Sequence, residues 1–304
     1  MLISQESVSL IQKVPALLIG VHVSIAGSID LSVLRAKEAG CNTFQIFTRN
    51  PRGWSFSPLQ EAIAGVFREN LNRNRIWPPV AHMPYLPNLA SPKDDIYRRS
   101  VETLLSEIKR CDLLGIPFLV THLGSHLGFG EEEGRRRIVS AIDRALELDC
   151  KCMILLENTA GQKNSLGSDV DAICAILSSS SAPDRLGLCL DTCHAFAAGY
   201  DVRSRFSALL DEVDRSIGIG KLKVIHMNDC KGDLGSHLDR HEHIGLGKIG
   251  ESGFRSILSD KRIRDLPLIM ETPIDSRRDD RGNIAKLREL AQEVGSAQHG
   301  PSRN

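Results

Sequence analysis

Six short apolar stretches, spread over most of the chain, each stop on a residue that can bind a metal ion. VAHMPYL brings His82 after Val80, FLVTHLG brings His122, CMILLENTAG brings Glu157, LGLCLDTCHAFAAG brings Asp191, KVIHMND brings His226 and PLIMETP brings Glu271. In the fourth of these, Leu186, Leu188 and Leu190 alternate before Asp191-Thr192-Cys193-His194, the way a buried strand hands over to a polar loop. A lone histidine or glutamate at a strand end is ordinarily a loop residue facing water. Six in series call for one site.

The stretches between them have helical spacing. Residues 17–24 (LLIGVHVS) read as the first strand, with Ser28-Ile29-Asp30 starting a helix and Gly40 stopping it. TFQIFT (43–48) is the second strand, the loop RNPRGWSFS follows, and a helix is expected over about 58–74. WPPV leads the third strand to His82; Val101, Leu104, Leu105, Ile108, Cys111 and Leu114 then form one stripe of a helix over 98–114, closed by Gly115 and Pro117. FLVTH, MILLE, LGLCLD, KVIHM and PLIME are strands four to eight. Helices are expected from the acidic start at Glu131 to Glu133, from a Ser168/Asp171 capping box to about Leu177, and over 203–216, 250–258 and 283–293. A long polar loop, 228–250, follows strand seven, and the tail GSAQHGPSRN reads as disordered. Eight strands alternating with helices predict an α/β fold closed as a single (β/α)8 TIM barrel over 16–296, with 1–15 an N-terminal extension and 297–304 a disordered tail. In a barrel of this kind the C-terminal strand ends share one mouth, so the six residues converge whatever their distance in sequence.

Composition narrows the function classes. Lysine plus arginine and aspartate plus glutamate both total 38, so there is no overall basic charge of the kind that marks many nucleic-acid binders, and attraction for phosphate has to be local. The eight cysteines are scattered without a CxxC pair, which argues against a zinc ribbon or a disulfide framework and for a reducing, cytoplasmic setting. Gln5, Glu6, Gln12 and Lys13 interrupt the first apolar residues, leaving neither a signal-peptide core nor a membrane span. A soluble monomer with no membrane association and no obligate protein partner is expected.

Imidazole nitrogens and carboxylate oxygens together suit zinc or another first-row divalent ion, and one carboxylate can bridge two ions. Two further elements add to the six: His194 after Asp191, and Asp239-Arg240-His241 in the loop after strand seven, whose ends face one side if the segment is extended. The candidates are then His82, His122, Glu157, Asp191, His194, His226, Asp239, His241 and Glu271. Nine ligands are too many for one tetrahedral zinc and suit three, with open positions left for water. Three divalent ions, four carboxylates and one hydroxide sum to about +1, enough to attract a phosphodiester without a basic surface. His22, His126, His237, His243 and His299 receive no ligand role; His22 faces the same mouth, where it either supports a ligand or is a hydrogen-bonded barrel histidine.

With these residues in place, the chain resembles the endonuclease IV family of apurinic/apyrimidinic endonucleases. The similarity runs over about 19–272 and is carried by GVHVSIAGS, QIFTRNPRGW, AHMPYLPNLAS, THLGSHLG, LLENTAGQ, LCLDTCHAFAAGYD, VIHMNDCKGDLGSHLDRHEHIGLG and METP. The resemblance implies a TIM barrel with three Zn2+ per chain, manganese or another divalent ion being admissible at some positions. It implies that His82 and His122 hold one ion with Glu157, that Glu157 bridges to a second shared with Asp191, His226 and Glu271, and that His194, Asp239 and His241 hold the third. It implies hydrolysis of the phosphodiester 5′ to an abasic site in double-stranded DNA by hydroxide generated at the zinc centre and positioned by the catalytic Glu157, leaving a 3′-hydroxyl and a 5′-deoxyribose phosphate. Arg52, Tyr85 and Leu86 would enter the minor groove and fill the gap left by the missing base, where flipping costs less because little stacking is lost. Gly53 departs from the pattern, since some members carry a larger polar residue such as glutamine there. Arg49, Lys93, Lys231 and Arg240 are weaker candidates for phosphate contacts, because surface charges mostly face water.

Two other readings compete. Sugar isomerases and epimerases also gather Glu, Asp and His on a divalent ion in such a barrel, but would use one or two ions; the DRH pair and the DTCH histidine argue for a third. A non-catalytic module binding damaged DNA through structural zinc would favour four protein ligands per ion, more than nine over three supplies.

Overall fold

Eight parallel strands follow one another around a barrel in the computed structural model, which describes residues 17–298. They are β1 (Ile19–Val21), β2 (Phe44–Phe47), β3 (Pro79–His82), β4 (Phe118–His122), β5 (Met153–Glu157), β6 (Leu186–Asp191), β7 (Leu222–His226) and, after a short antiparallel pair β8 (Asp229–Cys230) and β9 (His241–Glu242), β10 (Leu268–Met270). The hydrogen-bonded order is β1-β10-β7-β6-β5-β4-β3-β2. The remaining seam, β1 to β2, is held by a parallel bridge between His22 and Gln45, with Val23 N–H donating to Gln45 O at 2.7 Å. Glycine at position 20 is required here: a Cβ would sit 1.9 Å from Thr43 O of the adjoining chain segment.

Around the barrel run α1 (Leu31–Ala39), α2 (Glu61–Asn74), α3 (Asp94–Leu114), α4 (Glu131–Leu146), α5 (Val170–Ser179), α6 (Thr192–Ala198), α7 (Val202–Ile217), α8 (Gly250–Ser259) and α9 (Asp280–Gln298). Strand periodicity divides the apolar residues. Ala81, Leu119, Ile154, Leu156, Leu188, Leu190 and Ile225 pack in the large cluster shared with the helices, whereas Val80, Val120, Leu155, Cys189, Val224 and Ile269 form a separate cluster filling the barrel. The α3 stripe is buried as its spacing predicts except for half-buried Leu105, and Gly115 ends the helix at φ 70°, donating to Asp112 O and Cys111 O. Among the described residues, no helix is long and apolar enough to cross a membrane.

Several local expectations need correction. Helix α3 starts at Asp94 rather than 98, with Asp94 and Asp95 favoured by the positive end of the helix dipole. The cap of α5 is Asp169, which accepts from Ala172 N–H at 2.7 Å, and no Ser168/Asp171 box forms. The last barrel strand stops at Met270, one residue before Glu271. Helix α6 follows β6 at once, so DTCH is a capped helix start and not a polar loop: the Asp191 carboxylate accepts from His194 N–H at 2.8 Å. The loop 228–250 contains the β8/β9 pair. The final helix continues to Gln298, so the disorder expected of GSAQHGPSRN, and of a tail from 297, fails for residues 295–298; the extension 1–15 and residues 299–304 lie outside the described residues.

Candidate metal centre

Two residues beyond each barrel-filling side chain, the same face of the same strand reaches the mouth: Val80 leads to His82, Val120 to His122, Leu155 to Glu157, Cys189 to Asp191, Val224 to His226 and Ile269 to Glu271. The strand period therefore delivers six polar side chains to the mouth, each two residues beyond the apolar plug of its own strand. In register, His122 lies beside Glu157 and Asp191 beside His226.

Glu157, fully buried, is the hub. Its Oε2 lies 3.0 Å from His82 Nε2 and 3.3 Å from His122 Nδ1, and its Oε1 lies 2.8 Å from His226 Nδ1. His226 Nδ1 is also 3.4 Å from Glu271 Oε2 and 3.8 Å from Asp191 Oδ2. Farther along the rim, His194 Nε2 is 3.1 Å from Asp239 Oδ1, which is 3.6 Å from His241 Nε2. The nine side chains thus meet in three groups able to hold an ion: His82, His122 and Glu157; Glu157, Asp191, His226 and Glu271; His194, Asp239 and His241. Cys189 and Cys193 also come near the second and third groups.

These groups fit divalent ions on their own geometry. Zinc–ligand bonds of about 2.0–2.1 Å in a tetrahedron put neighbouring donor atoms about 3.3 Å apart, the middle of the spacings found here. His194 Nε2 and His241 Nε2 are buried and make no hydrogen bond within the protein, an arrangement that disfavours folding unless something else satisfies them. The opposite nitrogens are tied back: His82 Nδ1 to Met83 O at 2.7 Å, His194 Nδ1 to Asn158 O at 3.0 Å, His241 Nδ1 to Glu271 O at 3.1 Å and His226 Nε2 to Gln45 Oε1 at 2.8 Å. Each oxygen can only accept, so in the neutral imidazole the proton sits on that side and the inward nitrogen's lone pair is free for an ion.

Electrostatics follow the packing. Burial pushes the Glu157 carboxyl up, but charge on His122 and His226 and hydrogen bonds from His226 and His82 outweigh it and hold it well below the usual carboxylate range. Glu271 is likewise depressed, burial being overcome by His226, His22 and His82. Burial lowers His194, yet Asp191, Asp239 and Glu157 raise it to about 10.

The third group arrives differently from the others. His194 comes from the first turn of α6, His241 from β9 and Asp239 from the loop before it. The buried Asp229 carboxylate anchors that loop, accepting from the backbone N–H of Cys230, Gly245, Gly247, Ile249 and Gly250. Gly235 and His237 N–H donate to Phe196 O and Ala197 O at the end of α6, and His237 Nδ1 meets Ala160 O at 3.0 Å.

Sequence reasoning missed three polar partners. Asn228 Nδ2 donates to Asp191 Oδ2 at 2.6 Å while its Oδ1 accepts from Glu271 N–H; Asn158 Oδ1 accepts from Asp191 N–H at 2.7 Å; Gln45 touches His22, His226 and Glu271. An amide within or directly after an apolar run was the available signal. Of the histidines left without a role, His243 is buried between Asp275 and Asn283, and His126 accepts from Gly128 and Gly130 N–H.

Arg52, Tyr85 and Leu86 all stand exposed around the mouth, Tyr85 at 64%. Tyr85 N–H donates to Pro51 O, joining the two loops, and its ring meets Phe47 edge-on at 5.0 Å. Tyr85 and His122 border two cavities, one of about 380 Å³ reaching Glu271 and Ile274, the other of about 300 Å³ reaching Asn88 and Gln162. At Gly53 a Cβ would meet only Ser55 O, at 3.8 Å, so the loop does not depend on glycine there. Arg49 is corrected: it is buried with Nε 2.9 Å from Glu107 Oε1 and is no phosphate contact, whereas Lys231 and Arg240 are exposed and Lys93 lies on the surface.

A barrel with metal-ligand side chains at its C-terminal mouth is the class the geometry defines, and comparison with known proteins agrees: residues 33–294 match the xylose isomerase-like TIM barrel family. A probable endonuclease 4 of Methanoculleus marisnigri is 59% identical over 278 residues, covering 90% of this chain and 99% of its own. The crystal structure of endonuclease IV from Thermus thermophilus superposes with a TM-score of 0.81 at 34% identity, covering 90% of this chain and 99% of that one. A D-tagatose 3-epimerase-like protein, 20% identical with a TM-score of 0.68 over 92% of this chain and 97% of its own, shares the fold alone. The chain belongs to the endonuclease IV family.

Proposed function

We propose that this protein incises double-stranded DNA on the 5′ side of abasic sites, using three divalent ions, zinc foremost, held by His82, His122, Glu157, Asp191, His194, His226, Asp239, His241 and Glu271. The observation that carries the reading is the meeting of these nine side chains in three groups, two of which share Glu157, in a chain 59% identical to a probable endonuclease 4. Bound there, such ions supply Lewis acidity toward phosphodiester oxygens and lower the pKa of coordinated water to about 7.

The protein's own residues account for the rest. Glu157 turns Oε2 toward His82 and His122 and Oε1 toward His226, so one carboxylate links two groups. Its depressed pKa keeps it anionic at neutral pH. Tyr85, Leu86 and Arg52 are exposed side chains next to the mouth, suited to fill a duplex gap where a base is missing. Attack of water at phosphorus breaks the bond to the preceding O3′, leaving a 3′-hydroxyl and a 5′-deoxyribose phosphate. The same ligand set with an epimerase's chemistry would need a sugar bound in the mouth; the exposed Tyr85 and Leu86 suit a larger, open-faced substrate.

The test is a labelled duplex with one abasic site, incubated with the full-length protein before and after chelator treatment, with both new ends identified. Incision 5′ to the site, lost with the metal and restored by zinc, supports the reading. Incision with an unsaturated aldehyde at the 3′ end, or chelator-resistant incision, refutes it.

A further inference from the structure

At the barrel-filling positions, β2 departs from the rule that β3 to β7 and β10 follow. Gln45 lies in register with Val80, in a layer where Val80, Val120, Leu155, Cys189, Val224 and Ile269 are apolar, and it is completely buried. A buried amide is unfavourable unless its hydrogen-bonding capacity is used. Here both ends are used: Oε1 accepts from His226 Nε2 at 2.8 Å, and Nε2 donates to Glu271 Oε1 at 2.7 Å and to His22 Nδ1 at 3.0 Å.

The directions of these bonds have consequences for the site. Because Oε1 can only accept, a neutral His226 carries its proton on Nε2 and turns the Nδ1 lone pair toward the position where it would share an ion with Glu157, Asp191 and Glu271. Because Gln45 Nε2 holds Glu271 by Oε1, the other oxygen, Oε2, is the one turned toward His226 Nδ1, at 3.4 Å. One side chain thereby sets the tautomer of one ligand and the rotamer of another within a single group. It also spans the β1–β2 seam, where the barrel has a bridge instead of a ladder, by way of His22.

We infer that Gln45 is a positioning residue for the ion held by Glu157, Asp191, His226 and Glu271, fixing which atoms of His226 and Glu271 face it. This rests on the metal-dependent reading above. It predicts a selective defect: the ion of this group is held less tightly while the other two groups are unaffected.

The experiment compares full-length wild type, Gln45→Met, which keeps length and removes both polar functions, and Gln45→Glu, which keeps an acceptor for His226 but sets a carboxylate against Glu271. Each zinc-loaded protein is challenged with chelator, and metal per chain is followed by elemental analysis alongside kcat and KM on abasic duplex. The expected result is loss of one equivalent from both variants roughly 10–100-fold faster than from wild type, with kcat reduced and KM little changed. Release of every ion at the wild-type rate by both variants, or equal acceleration of all three, overturns the inference, as does failure of both variants to fold, which would make Gln45 a folding residue only. Should wild type itself hold no divalent ion, the underlying reading falls, and the wild-type arm alone reveals it.

Discussion

Two parts of the mouth are built on different foundations. His82, His122, Glu157, Asp191, His226 and Glu271 stand at or directly after strand ends, two residues above an apolar plug, and apart from His122 and Glu271 they are almost wholly buried. His194, Asp239 and His241 stand on a short helix, a loop and a two-residue strand, with the Asp239 side chain 39% exposed. The first set inherits its geometry from the sheet, where backbone ladders fix each side chain. The second depends on clamps within a connecting segment: the Asp229 carboxylate, the end of α6 and His237. A site half on strands and half on a loop should lose its ions in two stages, the loop-borne one first.

The largest effect should come from the strand-borne hub. Glu157→Gln should lower cleavage of abasic duplex roughly 10²–10³-fold, as removal of a key electrostatic group does, while the exposed Tyr85, Leu86 and Arg52 still bind it; a gel-shift and incision pair measures both, and unchanged incision removes the bridging role. Next, Asp239→Asn should release one ion per chain while leaving two, with an activity loss of about 10–100-fold. If elemental analysis shows all three ions leaving together, the two halves are not independent and the comparison fails.

Arg52→Ala tests a residue outside both halves. Loss of one phosphate or groove contact should weaken binding of damaged duplex about 10-fold and leave metal content at the wild-type level. Equal affinity would defeat the groove assignment.

The smallest effect is a pH dependence. In metal-stripped protein the raised pKa of His194, about 10 against the usual 6.5, means that its protonation stabilises the fold fully below pH 6.5, a contribution lost as pH rises toward 10. Removing it by His194→Asn should therefore lower Tm most near pH 6 and least near pH 10. Loaded protein should behave oppositely, losing ions as pH falls, since protons compete for the imidazoles. A Tm difference in stripped protein that is constant from pH 6 to 10 would mean the His194 charge is not held by Asp191, Asp239 and Glu157.

How far these regions could be read from the sequence follows the same division. The strand-borne residues were legible because each closes an apolar run, and period 2 with barrel topology is enough to bring His82 and Glu271 to one mouth from distant parts of the chain. DTCH looked like a loop because its residues are polar or small, and only the Asp191 cap discloses a helix. The β8/β9 pair was hidden by its length: two residues per strand carry no detectable alternation. Gln45 went unremarked because one polar residue in TFQIFT is compatible with an inward or an outward face, and the choice depends on a register that pairing alone sets. Arg49 was misjudged for a related reason, since its partner Glu107 lies far along the sequence on α3.

The central claim is that nine side chains gather three divalent ions at the barrel mouth. Anomalous scattering at the zinc edge, from crystals of the full-length, metal-loaded protein, tests it directly. The account predicts three peaks, one among His82, His122 and Glu157, one among Glu157, Asp191, His226 and Glu271, and one among His194, Asp239 and His241. Fewer than three peaks at this rim in active, metal-loaded protein, or ions bound elsewhere, would contradict it.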